Sequence, residues 1–136
     1  MSFFSLKSTA CFLGLLAVMG CANATPVLTC RVTYADETHV IEVKPTDDIY
    51  NVVPIDIAGR FTFKAVMVAK RDTIDYVKLY VYFQQRRKDI PIHLASYFPP
   101  FALSAKPSVL TPLNYLYAGD AERGLQYQCS LRKVTP

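Results

Sequence analysis

Apolar and polar residues alternate with a period of two along most of this chain, and no helical period is sustained anywhere, which is the signature of half-buried strands. Residues 27–34 (VLTCRVTY) form a β-rich run, Ala35-Asp36-Glu37 makes a turn, and residues 38–44 return as the second arm of a hairpin. Pro45-Thr46-Asp47-Asp48 breaks the pattern. Residues 49–57 then read as another extended piece, in which Pro54 argues for an edge or a bulge. Residues 60–70 and 73–84 flank Arg71-Asp72 as the clearest hairpin of the chain. With a two-residue loop, Lys70 faces Thr73. Unbroken alternation then groups Phe61, Phe63 and Met67 with Tyr76, Tyr80 and Tyr82 on one face, and Val66, Val68, Val77, Leu79, Val81 and Phe83 on the other. Both faces are apolar, so this hairpin is expected to sit centrally, one face in the main core and the aromatic face partly covered.

Residues 84–88 (QQRRK) form the next tip, and in residues 89–96 Ile90, Ile92 and Leu94 alternate with Pro91, His93 and Ala95. Prolines at 99, 100, 107 and 112 deny a ladder its donors, so residues 99–108 read as an ordered surface loop, with a short strand after Pro112. Residues 118–124 form a turn or a single helical turn. Residues 125–132 (LQYQCSLR) close the chain as a strand, with Leu125, Tyr127, Cys129 and Leu131 on one face. Six to eight short strands predict an all-β fold, a small antiparallel β-sandwich or barrel. No internal repeat or low-complexity tract is present.

The amino terminus changes the picture from fold to address. Lys7 precedes a short apolar run over residues 10–19, and Ala22-Asn23-Ala24 supplies a small-x-small cleavage site, so residues 1–24 read as a secretory signal peptide and residues 25–136 as a single β domain. The run is shorter than the roughly 20 residues a membrane-spanning helix needs. Val18-Met19-Gly20-Cys21 also resembles a lipobox, in which case Cys21 would be acylated and the chain tethered to the outer membrane as a lipoprotein. Export to the periplasm or beyond sorts the four cysteines. Cys11 leaves with the signal, and Cys30 and Cys129 remain to pair in an oxidising space. Such a bridge closes a loop of about 100 residues and contributes about 4–5 kcal/mol in the chain-entropy picture.

Charge narrows the partners only slightly. Fifteen Lys and Arg against eleven Asp and Glu give a net charge of +4, with both signs interspersed, which lacks the concentrated basic face of a nucleic-acid binder. A weak positive field suits an anionic envelope surface. Contact with a membrane is expected only if Cys21 is lipidated.

Candidate chemistry is sparse. The chain has no nucleophile elbow, HExxH motif, phosphate-binding glycine loop or CxxC, so neither enzyme activity nor a cofactor is expected. His39 and His93 lie far apart, too far in sequence for a local metal motif. His39 reads as an exposed strand histidine, and His93 as a solvent-facing residue or one satisfied by a partner. Ser96 follows His93 by three residues, the nearest approach to a hydrolase pair. The carboxylates at 36–37, 47–48, 120 and 122 coincide with turns and match no calcium loop. What remains is recognition. Tyr76, Tyr80 and Tyr82 on the hairpin, Arg86 and Arg87 at the tip, and Tyr97, Phe98 and Phe101 on the proline loop compose a candidate partner-binding patch, because tyrosine offers large contact area with a polar tip.

The segments GRFTFKAV (59–66), IDYVKLY (74–80) and LQYQC (125–129) resemble those of small exported proteins of β-proteobacterial type, a group with no known activity. The resemblance covers most of residues 25–136 and implies a Gram-negative periplasm, with no functional residues to carry over. Size, export and a single bridge are also similar to periplasmic lysozyme inhibitors, although their short Ser-Gly-rich inhibitory loop is missing. The expectation is therefore a non-enzymatic periplasmic binding protein acting through the aromatic hairpin face and the proline loop. A lipoprotein anchored at Cys21, and an enzyme inhibitor or hydrolase, stand as alternatives.

Overall fold

A computed structural model describes Gly20, residues 24–119 and residues 123–135. The expected signal segment, with Cys21, and the middle of the expected 118–124 turn lie outside the described residues. Nine strands follow in order: β1 (Thr25–Tyr34), β2 (Glu37–Val43), β3 (Ile55–Ile57), β4 (Phe61–Lys70), β5 (Thr73–Gln84), β6 (Asp89–Tyr97), β7 (Ser108–Val109), β8 (Asn114–Leu116) and β9 (Leu125–Val134). They build two antiparallel sheets, as an all-β sandwich requires. The count exceeds the expected six to eight because β3, β7 and β8 are only two or three residues long.

The first sheet runs β2-β1-β9-β7, with β8 also on β9, and the second runs β3-β4-β5-β6. In the first, the amino-terminal strand lies directly beside the carboxy-terminal one, so that Cys30 pairs with Cys129 and the two form a disulfide buried on the inner face. The bridge therefore ties both ends of the domain into one sheet. Residues 49–54, expected as strand, run instead as an irregular connection along β4, held where the Thr46 amide donates to the Met67 carbonyl at 2.9 Å.

The core lies between the sheets. From the first sheet come Leu28, Cys30, Val32, Leu125, Tyr127, Cys129 and Leu131, and from the second Phe61, Phe63, Met67, Val77, Leu79 and Val81. Aromatic rings knit the layers: Tyr34 meets Phe61 edge-on with centroids 5.2 Å apart, and Phe63 lies 5.4 Å from Tyr127. Full burial of each large apolar side chain is worth about 1.5–3 kcal/mol.

Two one-residue irregularities decide which side chains reach this core. The β4–β5 turn pairs Lys70 with Thr73 as expected, but Ala69 faces Ile74 while Val68 faces Tyr76, leaving Asp75 unpaired as a bulge. One extra residue moves every later side chain of β5 to the other face. Phe61, Phe63 and Met67 thus share the core side with Val77, Leu79, Val81 and Phe83, and the tyrosines point outward, the reverse of the grouping that unbroken alternation predicts. The exchange is physically sensible, because three phenol hydroxyls in the core would each need a buried partner. A second bulge lies on β6. Val81 pairs with His93 and Tyr82 with Pro91, so Ile92 is the extra residue, next to a proline that has no N–H to donate. Beyond it the phase inverts: Ala95 and Tyr97 turn inward and Leu94 stands 60% exposed.

Candidate functional site

The outer face of the second sheet carries the most distinctive surface among the described residues. Tyr76, Lys78, Tyr80 and Tyr82 stand in a row on β5, with Lys64 and Val66 beside them on β4, where Lys64 pairs with Tyr80 and Val66 with Lys78. Ile49 and Tyr50 from the β2–β3 connection complete the wall of a groove of about 190 Å³. β5 is paired with β4 on one side and, from Val77 onward, with β6 on the other, so the backbone groups of Lys78 and Tyr80 are taken up by the ladder and only their side chains face outward.

A local hydrogen-bonded turn sets Tyr50 in place. Asp48 receives the Tyr50 amide at 3.0 Å and the Asn51 side-chain amide, while the Asp48 amide donates to Thr46 Oγ1 at 3.1 Å. This is the usual work of an aspartate in a turn. It leaves Tyr50 90% exposed at the rim of the groove.

The lysines lie over the rings. Lys64 Nζ is 5.8 Å from the Tyr80 centroid and Lys78 Nζ 5.3 Å from that of Tyr76, within cation–π range. Tyr80 and Tyr82 hold near-parallel rings, 11° apart in plane with centroids at 6.3 Å. Among the described residues neither lysine forms a salt bridge, and no carboxylate lines the groove. Two ammonium groups are thus held in place by aromatic faces with their charge uncompensated.

Arg86 and Arg87 lie beyond Tyr82 in the exposed β5–β6 tip, closed by the Gln85 amide on the Lys88 carbonyl at 3.3 Å. Below the tip, the Gln84 side-chain amide donates to Asp56 and to Thr62 Oγ1, and Thr62 Oγ1 donates to Asp89 at 2.9 Å. These bonds anchor the base of the basic loop. The Gln84 donor, with the Gly59 amide, also holds the exposed Asp56 carboxyl below the usual carboxylate range.

The proline-loop aromatics line a different depression. Tyr97 and Phe101 are half-buried against the core, Phe98 is 63% exposed, and with Val109, Leu110 and Leu131 they bound a shallow hollow of about 250 Å³. The loop crosses from β6 to the first sheet, where the Lys133 amide donates to Ser104 at 2.8 Å and the Leu110 amide to Cys129 at 2.9 Å. The expected single patch is thus divided: Tyr76, Tyr80 and Tyr82 come together, and Tyr97, Phe98 and Phe101 come together elsewhere, with no lining residue in common.

The acid–base candidates are committed to structure. His93 faces inward from β6, and its Nε2 lies 2.6 Å from the hydroxyl of the buried Tyr127 on β9, one hydrogen bond spanning the two sheets. Burial pushes the His93 pKa down and the Tyr127 pKa far up, so both groups are held neutral. Ser96 pairs with Lys78 and points outward, on the opposite face of β6 from His93. The two form no dyad. His39 is not the exposed residue expected: with Ile41 and Val43 it takes the inward side of β2, half-buried, and Nε2 lies 3.5 Å from Glu37.

Sequence reasoning passed over Tyr50, Lys64 and Lys78. The signal for the lysines was present: Lys78 sits between Tyr76 and Tyr80 at a spacing of two, and a strand face that carries lysine faces water. Tyr50 had none, because only the path of the connection along β4 brings it to the stripe. No protein-family model, curated protein or solved structure matches the chain.

Proposed function

We propose that this chain is an exported, non-enzymatic binding protein that holds its partner on the Tyr76–Tyr80–Tyr82 face of the second sheet. The observation that carries this reading is that the core is complete without these tyrosines. Phe61, Phe63, Met67, Val77, Leu79 and Val81 fill it, while large aromatic groups stand outside in a row with uncompensated lysines. Tyrosine in such a setting supplies contact area at low entropic cost and a polar tip for orientation. Arg86 and Arg87 extend the positive field past Tyr82, and the shallow hollow at Phe98 is a second contact surface. Export is supported by the leader-like residues 1–24 and by the buried Cys30–Cys129 bridge, which suits an oxidising compartment. Binding rather than catalysis is supported by the way His93 is tied to Tyr127 and turned away from Ser96.

The test is capture from periplasmic and membrane fractions with the tagged exported protein, wild type against Tyr76→Ala/Tyr80→Ala. A partner retained by the wild type and lost from the double variant is expected, with unfolding free energy changed by less than about 1 kcal/mol because both residues lie outside the core. Equal capture by both proteins overturns the assignment of this face.

A further inference from the structure

The groove on the second sheet has a chemistry that selects among ligands, and the selection rests on the reading of this face as the binding surface. Its walls are tyrosine rings with phenol hydroxyls at their tips, its floor includes the buried Val66, and its charged groups are the ammonium groups of Lys64 and Lys78. We propose that it is a subsite for one carboxylated sugar ring of an acidic polysaccharide, the ring lying against the tyrosines and the carboxylate meeting Lys64 and Lys78.

Three features favour this occupant. Size comes first: about 190 Å³ is below the roughly 300–1,000 Å³ of pockets for drug-sized ligands, so the groove suits a single ring. Position comes second. A peptide strand binds a sheet by adding to an edge, whereas the tyrosine stripe runs along β5, which is paired with β4 on one side and, from Val77 onward, with β6 on the other; a peptide laid across it would leave its amides unpaired. A sugar needs no ladder, because its C–H faces pack on aromatic rings and its hydroxyls reach the phenols. Charge comes third. Two unpaired cations with no carboxylate in the lining complement an acidic ring and leave a neutral one without a partner for either ammonium. Arg86, Arg87 and Lys88, past Tyr82 on the same hairpin, are placed to meet further acidic units.

The experiment is a calorimetric and NMR titration of the exported protein with trigalacturonate, run beside the neutral trigalactoside, a polyglutamate peptide and phosphatidylglycerol vesicles. Saturable binding of trigalacturonate is expected, with shifts at Tyr76, Tyr80 and Tyr82, an affinity that falls as salt rises, and a loss of about tenfold in Lys64→Gln/Lys78→Gln. The lysine variant must keep the wild-type near-UV spectrum. Tyr80→Phe, which retains the ring, must bind more tightly than Tyr80→Ala. Equal binding of the neutral sugar, binding unchanged by the lysine variant, or engagement of this face only by the peptide or the vesicles overturns the proposal. If trigalacturonate fails while Tyr76→Ala/Tyr80→Ala still loses a captured partner, the ligand class is wrong and the face stands. If both fail, the face falls as well.

Discussion

Val68 lies opposite Tyr76, although its neighbour Ala69 lies opposite Ile74, and the residue squeezed out between those pairs is Asp75. That single unpaired residue sends three tyrosines to solvent and Val77, Leu79 and Val81 to the core. Deleting Asp75 is expected to force a choice between two poor structures: tyrosines driven into the core, or a strained turn. A destabilisation above about 4 kcal/mol, or outright failure to fold, should follow in urea unfolding monitored by circular dichroism. Asp75→Asn, which keeps the extra residue, should change stability by less than about 0.5 kcal/mol.

The bridge between Cys30 and Cys129 is predicted to be inert in the native protein and decisive for its stability. Both residues are essentially inaccessible, so thiol reagents and mild reductant should leave the folded protein unmodified until denaturant opens it. Cys30→Ala/Cys129→Ala is expected to lose about 2–5 kcal/mol. Comparison of denaturation midpoints with and without the bridge, together with intact mass after alkylation, measures both statements.

His93 should make stability depend on pH. Its folded pKa lies below the ordinary value of 6.5 because burial disfavours the imidazolium, so the unfolded chain binds the proton more readily. The contribution is complete above about pH 6.5 and is lost as pH falls through the folded pKa. Urea midpoints should therefore decline from pH 7 toward pH 5, and His93→Gln should flatten that decline. Tyr127→Phe removes the partner and leaves Nε2 unsatisfied, at an expected cost of about 1–3 kcal/mol.

Two glycines in left-handed backbone should respond differently to the same change. Gly119 has φ of +52°, and a Cβ there would stand 2.5 Å from Cε1 of the Phe83 ring, whereas Gly59, at +66°, has nothing within 4 Å. Gly59→Ala should cost only the backbone term of about 1–2 kcal/mol. Gly119→Ala should cost more, and Gly119→Ala/Phe83→Leu should recover part of the excess by removing the ring that the methyl meets. Thermal unfolding of the four proteins decides it.

The chain's own pattern was enough for the architecture. Period-two alternation broken by turn residues specifies antiparallel sheets, because a strand with one wet and one dry face can be written in no other way. The central hairpin, the Arg86-Arg87 tip, the proline loop and the pairing of Cys30 with Cys129 follow from local turn chemistry and from there being no other cysteine within residues 25–136. Face assignment was legible only up to the first bulge. Beyond Asp75 and Ile92 the phase of alternation inverts; Pro91 beside Ile92 is a local sign of a bulge, whereas nothing in the local sequence marks Asp75 as extra. Tertiary packing decides the matter, since the register that buries Val77, Leu79 and Val81 and wets the phenols is the one with the lower free energy over the whole sheet. The same holds for the binding groove. Tyr50 joins Tyr80 because a connection runs back along β4, and Tyr97 parts from Tyr76 because β6 turns it inward, relations between distant segments that no window of sequence contains.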